Sequence, residues 1–209
     1  MADEAFKARQ KAENQRSSGN IEGALKTLED YLINDPHNNR VRMDLARIYI
    51  FDANKVDFGL AQLDAILDID PDFDDARKAL VTVLKRNKRY NDETDMHFRI
   101  LLEKYPKDPD LIHSYGIFCR EQLLNFTMAK EMFAKCVSLK PNEESYRLSY
   151  ASLLANDLRE YEEARNQLSK ALEINPSNQK TRKALERLQK PKYRKDKGRR
   201  GGLIGKLTK

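Results

Sequence analysis

The prolines of this chain constrain its architecture more than any other feature. Five of the seven stand 35 residues apart, at Pro36, Pro71, Pro106, Pro141 and Pro176. A fixed period of this length is typical of stacked supersecondary units, because each unit buries its apolar face against the next one. The chain is therefore predicted to be a repeat protein, and one repeat describes most of it.

The residues that precede each proline predict a helix. Twelve residues before each proline the side chain is small, and eight residues before it the side chain is large and apolar. Further apolar residues stand five and four positions before the proline, and these offsets place the whole set on one helical face. The small residue lets a partner backbone approach closely. The small set is Ala24, Gly59, Thr94, Ala129 and Ala164, and the large set is Leu28, Leu63, Phe98, Phe133 and Leu168.

The residues that follow each proline predict a second kind of helix. Nine and ten residues after the first four prolines the chain has Leu45-Ala46, Leu80-Val81, Tyr115-Gly116 and Tyr150-Ala151. The predicted N-caps are Asn38, Asp72, Asp108, Asn142 and Asn178, and Pro109 suits a first helical position. After Pro176 fewer apolar residues remain, as a terminal helix with a polar outer face requires. The predicted helix pairs are 4–34, 39–69, 74–104, 109–139 and 144–174, followed by a helix at 179–189.

This pattern resembles the tetratricopeptide repeats. That family has a small residue early in the second helix, a bulky one, another small one and a proline at the repeat end. Ala164, Leu168, Ala171 and Pro176 follow it closely. The resemblance covers about residues 4–189, and a related helical-hairpin family of RNA-processing scaffolds has similar spacing. It implies an all-α fold, a right-handed α-solenoid of about five helix hairpins plus a C-terminal capping helix.

The chain departs from the family in three ways. Its period exceeds the usual length of about 34 residues, so one extra residue is predicted in the turn within each pair from the second onward. The large residue expected early in the first helix is arginine in three pairs, at Arg42, Arg77 and Arg147. Thr94 replaces a small alanine and Asn91 interrupts an apolar set, so the third repeat is expected to be the least regular.

Composition favours a solenoid over a single globule. Charged residues make up 34% of the chain and tryptophan is absent, which a continuous thin core tolerates. The sequence start has no signal-peptide architecture and no apolar run approaches membrane-spanning length. Cys119 and Cys136 fall at core positions of the fourth pair, where small core residues are the main interpretation and a redox pair the alternative. A reducing, cytoplasmic location is predicted.

The chain divides into a repeat domain, residues 1–189, and a basic tail, residues 190–209. The tail holds nine basic residues and one acidic residue, a net charge of +8, which leaves −2 for the rest of a chain whose total is +6. Like charges and glycines oppose compact packing, so the tail is predicted to be disordered when free. The tail residues predicted to bind a polyanion are Lys192, Tyr193, Arg194, Lys195, Lys197, Arg199, Arg200, Lys206 and Lys209.

The sequence contains no motif that predicts catalysis. The three histidines share no metal-ligand spacing with each other or with the cysteines. The segment 202–206 resembles part of a phosphate loop, but Arg200 stands where glycine is needed and Leu207 where a hydroxyl is needed. No enzyme activity, cofactor or metal is expected.

The resemblance also implies a ligand groove along the first helices of successive pairs. Transferred to this chain, the groove comprises Arg40, Met43, Arg47, Lys78, Thr82, Lys85, Arg86, His113, Ile117, Arg120, Leu148, Ser152, Asn156, Lys180, Lys183 and Arg187. So basic a groove predicts an acidic or C-terminal peptide as ligand, although an ordinary solvated surface is the alternative. The chaperone-binding carboxylate clamp of some family members is not expected, because the clamp positions include Met43 and Ala79, or Thr82 and Ser114 one pair later, instead of the required donors.

The predicted function is a non-enzymatic scaffold or adaptor that binds a protein in its groove and a polyanion with its tail. The alternative is an RNA- or ribosome-associated protein whose tail is the main binding element. A third alternative is contact with an anionic membrane surface through Leu203, Ile204 and Leu207.

Overall fold

The computed structural model describes residues 2–190 and Tyr193. This part of the chain is all-helical and contains no strand. The α-helices are α1 (Ala2–Ser17), α2 (Ile21–Asn34), α3 (Asn39–Arg47), α4 (Val56–Ile69), α5 (Asp74–Leu84), α6 (Asn91–Lys104), α7 (Pro109–Glu121), α8 (Phe126–Leu139), α9 (Glu144–Leu153), α10 (Tyr161–Ile174) and α11 (Gln179–Gln189). The five predicted pairs and the terminal helix are confirmed. Odd-numbered helices are called A helices below, and even-numbered ones B helices.

The described chain packs as two compact units. Unit 1 holds the described residues up to Leu84 together with Asp92–His97, and unit 2 holds Lys85–Asn91 and the described residues from Phe98 onward. Helix α6 therefore contributes residues to both units. The third pair, which sequence analysis singled out as irregular, is where the division falls.

The repeat positions form the core of each unit. Leu28, Leu63 and Ile66 are fully buried in unit 1, and Phe98, Phe118 and Phe133 are fully buried in unit 2. All five small positions are buried as well. At one of them, Gly59, an added Cβ would lie 2.9 Å from the carbonyl oxygen of Ala46. The small residue is thus needed because helices α3 and α4 approach closely there.

Side-chain caps start several of the helices. Asn38, Asp108 and Asn178 accept hydrogen bonds from the backbone N–H groups of Val41, Leu111 and Thr181, and Pro109 occupies the first turn of α7. The prediction for Asn142 is wrong, because the Glu143 carboxylate caps α9 instead. Asp72 lies two residues before α5 begins, so it does not occupy the predicted cap position either.

The predicted extra residue lies at the end of the A helix. In the first pair the N–H of Asn20 donates to the carbonyl of Gln15, five residues back. At the same place in later pairs the N–H donates six residues back, from Lys55 to Tyr49, from Asn125 to Cys119 and from Glu160 to Leu154. The preceding residue is left-handed in all four pairs: Gly19, Asn54, Leu124 and Arg159. Two of these turns extend the A helix as π-helix, over Ile48–Asp52 and Leu154–Leu158.

The third pair turns differently. A short 3₁₀ segment, Lys88–Tyr90, precedes α6. The hydroxyl of Thr94 and the amide oxygen of Asn91 are buried without a hydrogen-bond partner among the described residues. The third repeat thus differs from the others at its turn, while the expectation that it is the least regular stays a prediction.

The arginines that depart from the family pattern have a shared structural role. In three pairs the guanidinium donates to the carbonyl of the preceding repeat proline and contacts a side chain twenty residues later on the next B helix. The contacts to the B helix are Arg42 to Gln62 Oε1 (2.6 Å), Arg77 to His97 Nδ1 (3.0 Å) and Arg147 to Gln167 Oε1 (2.8 Å). The matching bonds to Pro36, Pro71 and Pro141 are 2.8, 2.6 and 2.8 Å long. We call this arrangement the arginine brace.

Candidate functional site

Two open pockets occur at the same position of the repeat. The N pocket, in unit 1, has a volume of about 260 Å³, and the C pocket, in unit 2, has a volume of about 270 Å³. Each lies between an A helix, its B helix and the next A helix. Nine of the ten residues that line the N pocket have a counterpart three repeats later that lines the C pocket. The repeat therefore builds the same concavity twice.

The lining residues differ in detail between the two pockets. The N pocket is lined by Met43, Ala46, Arg47, Ile50, Phe51, Leu63, Lys78, Ala79, Thr82 and Val83. The C pocket is lined by Leu148, Ala151, Ser152, Ala155, Asn156, Leu168, Asn178, Lys180, Thr181, Ala184, Arg187 and Leu188. The shared alanines, Ala79 and Ala184, leave space on the A helix that closes each pocket.

Between α7, α8 and α9 in unit 2 the equivalent positions carry side chains that contact other residues of the repeat domain. His113 stands where the pockets have Met43 and Leu148, and its ring centroid lies 4.8 Å from that of Tyr146. Arg120 stands where they have Ile50 and Ala155, and its Nε donates to Asp157 Oδ2 over 2.7 Å. His113 and Arg120, two predicted groove residues, therefore serve contacts within the repeat domain.

The imidazole of His113 has a further partner. Its Nε2 lies 2.8 Å from the hydroxyl of Ser149. Burial lowers the pKa of His113 below its ordinary value, against the opposing effect of the Asp110 and Glu143 carboxylates. The ring is therefore neutral at pH 7, so it does not add a positive charge to the groove.

The N pocket is mostly apolar. Met43, Ile50 and Val83 contribute to its wall, and Phe51 at its lip is 67% exposed. Arg47 and Lys78 are exposed at the rim. Two acidic side chains close by are already engaged, because Asp44 accepts a bond from Arg9 and Asp52 one from Arg16.

The C pocket combines an apolar floor with a polar rim. Leu168 and Leu188 are buried beneath it. The amide of Asn156 donates to the hydroxyl of Ser152 over 3.2 Å, and Lys180 and Arg187 add two positive charges from α11. No lining residue is acidic, so this rim suits hydrogen-bond acceptors and carboxylates.

The remaining predicted groove residues lie outside the two pockets. Arg40, Arg86 and Lys183 are exposed. Lys85 Nζ lies 3.5 Å from Ser114 Oγ, and Ile117 is half-buried on α7. Binding by any of these residues stays a prediction. Sequence analysis placed Ala151 in the apolar set of its A helix and did not name Ile50 or Phe51, although the repeat register places all three around the pockets.

The predicted polyanion residues fall almost wholly outside the described part of the chain. Tyr193 is described, and its ring lies 5.1 Å from that of Tyr161, edge to face. The carbonyl of Tyr193 also accepts a bond from Arg165 Nη1 over 3.2 Å. In this arrangement the Tyr193 ring packs on α10 instead of standing open for a nucleic-acid base.

The described residues also lack a metal-binding cluster and a membrane-spanning helix. They contain no group of three or more histidine, cysteine, aspartate or glutamate side chains placed to hold a metal ion. None of the described helices combines the length and apolar character that a membrane crossing requires. Cys119 and Cys136 are buried, and burial raises the pKa of Cys136 to about 12, so this thiol stays protonated and unreactive.

Comparison with known proteins confirms the family resemblance. Residues 147–178 match the family model of the tetratricopeptide repeat. No curated protein sequence matches the chain.

Several solved structures share its fold. MamA from Desulfovibrio magneticus RS-1 superposes with a TM-score of 0.69 at 18% identity, covering 85% of this chain and 98% of that one. Another MamA structure gives a TM-score of 0.71 at 19% identity, covering 86% and 96%. PilF of Pseudomonas aeruginosa gives 0.64 at 22% identity, covering 86% of this chain and 80% of that one. At these identities the likeness shows the fold alone.

Proposed function

We propose that this chain, a tetratricopeptide-repeat protein, is a non-enzymatic scaffold that binds a polypeptide partner through its A helices. The observation that carries the proposal is the pair of repeat-equivalent pockets, each with an apolar interior and exposed cations at the rim. Concave sites with apolar walls and a few polar groups are the usual form of a binding site.

The rims indicate the chemistry of the partner. Arg47 and Lys78 stand beside the N pocket, and Lys180 and Arg187 beside the C pocket. Charge-assisted hydrogen bonds from such side chains favour carboxylates, and opposite charges speed association. The proposed partner is therefore an acidic segment or an acidic C-terminus.

Charge reversal at the two rims tests this proposal. One variant combines Arg47→Glu with Lys78→Glu, and another combines Lys180→Glu with Arg187→Glu. The matched control reverses Lys26 and Lys170, which are exposed on the B helices α2 and α10. Each protein serves as bait in a cell extract, and captured proteins are identified by mass spectrometry.

We expect the wild type and the control to capture a set of proteins that one or both rim variants no longer capture. All four bait proteins should have equal helicity by circular dichroism. If the rim variants and the control capture the same proteins as the wild type, the A-helix surface is not the binding site.

The tail adds a second element to the proposal. Its net charge of +8 favours binding to a polyanion, and the alternative function is an RNA- or ribosome-associated protein whose tail is the main binding element. This part of the proposal rests on composition, and so does the cytoplasmic location.

A further inference from the structure

The N and C pockets share a backbone frame but differ at the positions that decide which side chain they accept. Where the C pocket has Ala155 and Asn156, the N pocket has Ile50 and Phe51. The wall and lip therefore change from small and polar to large and apolar. One chain thus offers an internal comparison between two versions of the same site.

The N pocket leaves apolar surface in contact with water. Phe51 is 67% exposed, and Val83 is only half-buried, whereas its counterpart Leu188 in the C pocket is 2% exposed. Exposed apolar surface rimmed by charges marks an interaction site, and aromatic side chains are enriched at such sites. These features indicate a ligand that covers Phe51 and Val83.

We infer that the N pocket binds one large apolar side chain, such as phenylalanine or leucine, from a partner polypeptide with acidic residues on either side of it. The inference rests on the proposed scaffold function and names the residue that the scaffold selects. The volume of about 260 Å³ is ample for a phenyl ring, since apolar cavities of about 150 Å³ accept benzene.

The charges around the N pocket explain the acidic flanks. Arg47 extends from α3 and is exposed at the mouth of the pocket, where its guanidinium favours a carboxylate of the ligand. The Asp44 and Asp52 carboxylates are bonded to Arg9 and Arg16. Asp75 lies in the first turn of α5 and does not line the pocket.

A synthetic peptide tests the inference directly. The probe is acetyl-Gly-Asp-Glu-Phe-Glu-Asp-Gly-amide, compared with a version that has alanine in place of phenylalanine and one that has lysines in place of the acidic residues. Binding to the full-length protein is followed by methyl NMR signals of Met43, Ile50 and Val83. We expect these signals to shift, and the affinity to fall about 10- to 100-fold for the alanine peptide. The lysine peptide should bind more weakly than the parent peptide.

A matched pair of protein variants locates the binding. Ala79→Leu fills the N pocket, and Ala184→Leu makes the same change at the equivalent position of the C pocket. Ala79→Leu should weaken binding of the phenylalanine peptide to the level of the alanine peptide, and Ala184→Leu should weaken it much less. Ala61→Leu, at an exposed position of α4 that lines neither pocket, should leave the affinity unchanged. The peptide substitution needs no change in the protein, so a misfolded variant does not remove the test.

Each other outcome overturns the inference and separates it from the proposed function. The peptide could shift A-helix signals while its affinity is the same with phenylalanine or alanine and the same for wild type and Ala79→Leu. In that case the scaffold binds acidic segments without an apolar anchor. If Ala184→Leu alone weakens binding, the anchor lies in the C pocket. If no A-helix signal shifts with any peptide, the anchor is absent, and the extract capture experiment alone decides whether the surface binds proteins.

Discussion

At the scale of single residues, one pair of repeat positions is occupied by a polar pair in one repeat and by an apolar pair in another. Arg147 bonds to Gln167 and to the carbonyl of Pro141. In the preceding pair the equivalent positions hold Ile112 and Met132, which belong to one apolar cluster. Because Arg147 and Gln167 are both buried, the polar solution depends on both partners being present.

A double-mutant cycle at this brace follows from that comparison. Arg147→Ile leaves the Gln167 amide and the Pro141 carbonyl without their donor, which should lower the free energy of unfolding by about 1–3 kcal/mol. Adding Gln167→Met reproduces the apolar pair of the fourth repeat and should recover a large part of that loss. Urea denaturation of the four proteins gives the coupling free energy. Strictly additive effects would contradict the brace.

The brace of the third pair makes stability depend on pH. His97 accepts a hydrogen bond at Nδ1 from Arg77. Burial, and then the Arg77 charge, lower the pKa of His97 to about 4. The unfolded chain has a histidine pKa of about 6.5, so between pH 6.5 and 4 it binds a proton that the folded chain does not. The contribution of His97 to the free energy of unfolding is therefore fully present above pH 6.5. It is lost as the pH falls from 6.5 to about 4, and below pH 4 it changes no further.

His97→Gln isolates this effect, because glutamine is the residue that Arg42 and Arg147 already contact. It retains an acceptor for Arg77 and removes the titration. Between pH 7 and 4 the wild type should lose up to about 3 kcal/mol of unfolding free energy more than the variant. His113, whose pKa is also lowered, is present in both proteins and cancels in the difference. Parallel pH profiles in urea denaturation would contradict the assignment.

At the scale of the helix pair, backbone conformation at the turn sets a strain that differs between repeats. Leu124 has a positive φ of 52° and is 64% exposed. Gly19 occupies the equivalent place in the first pair with a φ of 83°. A left-handed conformation costs a residue other than glycine roughly 1–2 kcal/mol, and glycine at such a place adds unfolded-state entropy worth about 0.4–1 kcal/mol.

Leu124→Gly should therefore raise the free energy of unfolding by about 0.5–1 kcal/mol. The reverse change, Gly19→Leu, should lower it by at least as much, because the φ of 83° at Gly19 lies farther from the left-handed minimum of L-residues (about 57°) than the φ of 52° at Leu124 does. Chemical denaturation at one pH measures both. If Leu124→Gly instead lowers the free energy of unfolding, the contacts of the leucine side chain stabilise the fold by more than its left-handed backbone conformation destabilises it.

The helix pairs also show what the sequence alone can predict. The proline interval and the small-and-large positions suffice for the helix pairs, because they report packing that recurs in every unit. The arginine brace was not predicted, because a charged residue at a core position is interpreted as a departure from the repeat pattern until its hydrogen-bond partners are known. Those partners, a carbonyl six residues back and a side chain twenty residues on, meet only in the folded pair.

The candidate site was partly predictable for the same reason. Met43, Arg47, Leu148 and Arg187 follow from the family's groove positions, and all four line pockets. The internal contacts of His113 and Arg120 were not predictable, because these residues resemble ligand donors by type. Only the observed contacts to Tyr146 and Asp157 show that they serve packing within the repeat domain.

At the scale of the whole molecule, charge is separated along the chain. Residues 190–209 carry +8, while the remainder carries −2. A flexible polyanion would meet attraction at one end and weak net repulsion elsewhere. The pocket rims are basic, but each presents only a few cations, so the tail should dominate any binding to RNA.

A salt titration tests this separation. A single-stranded oligouridine is the probe, and a 1–189 truncation with equal helicity is the control. If about six tail cations contact phosphates, raising the salt from 50 to 200 mM should weaken binding by about two to three orders of magnitude. The truncation should bind the oligouridine weakly at both salt concentrations, because the cations that would release counterions are gone. Equal binding by the two proteins would place RNA contact on the repeats, and salt-independent binding would exclude a phosphate-based interaction.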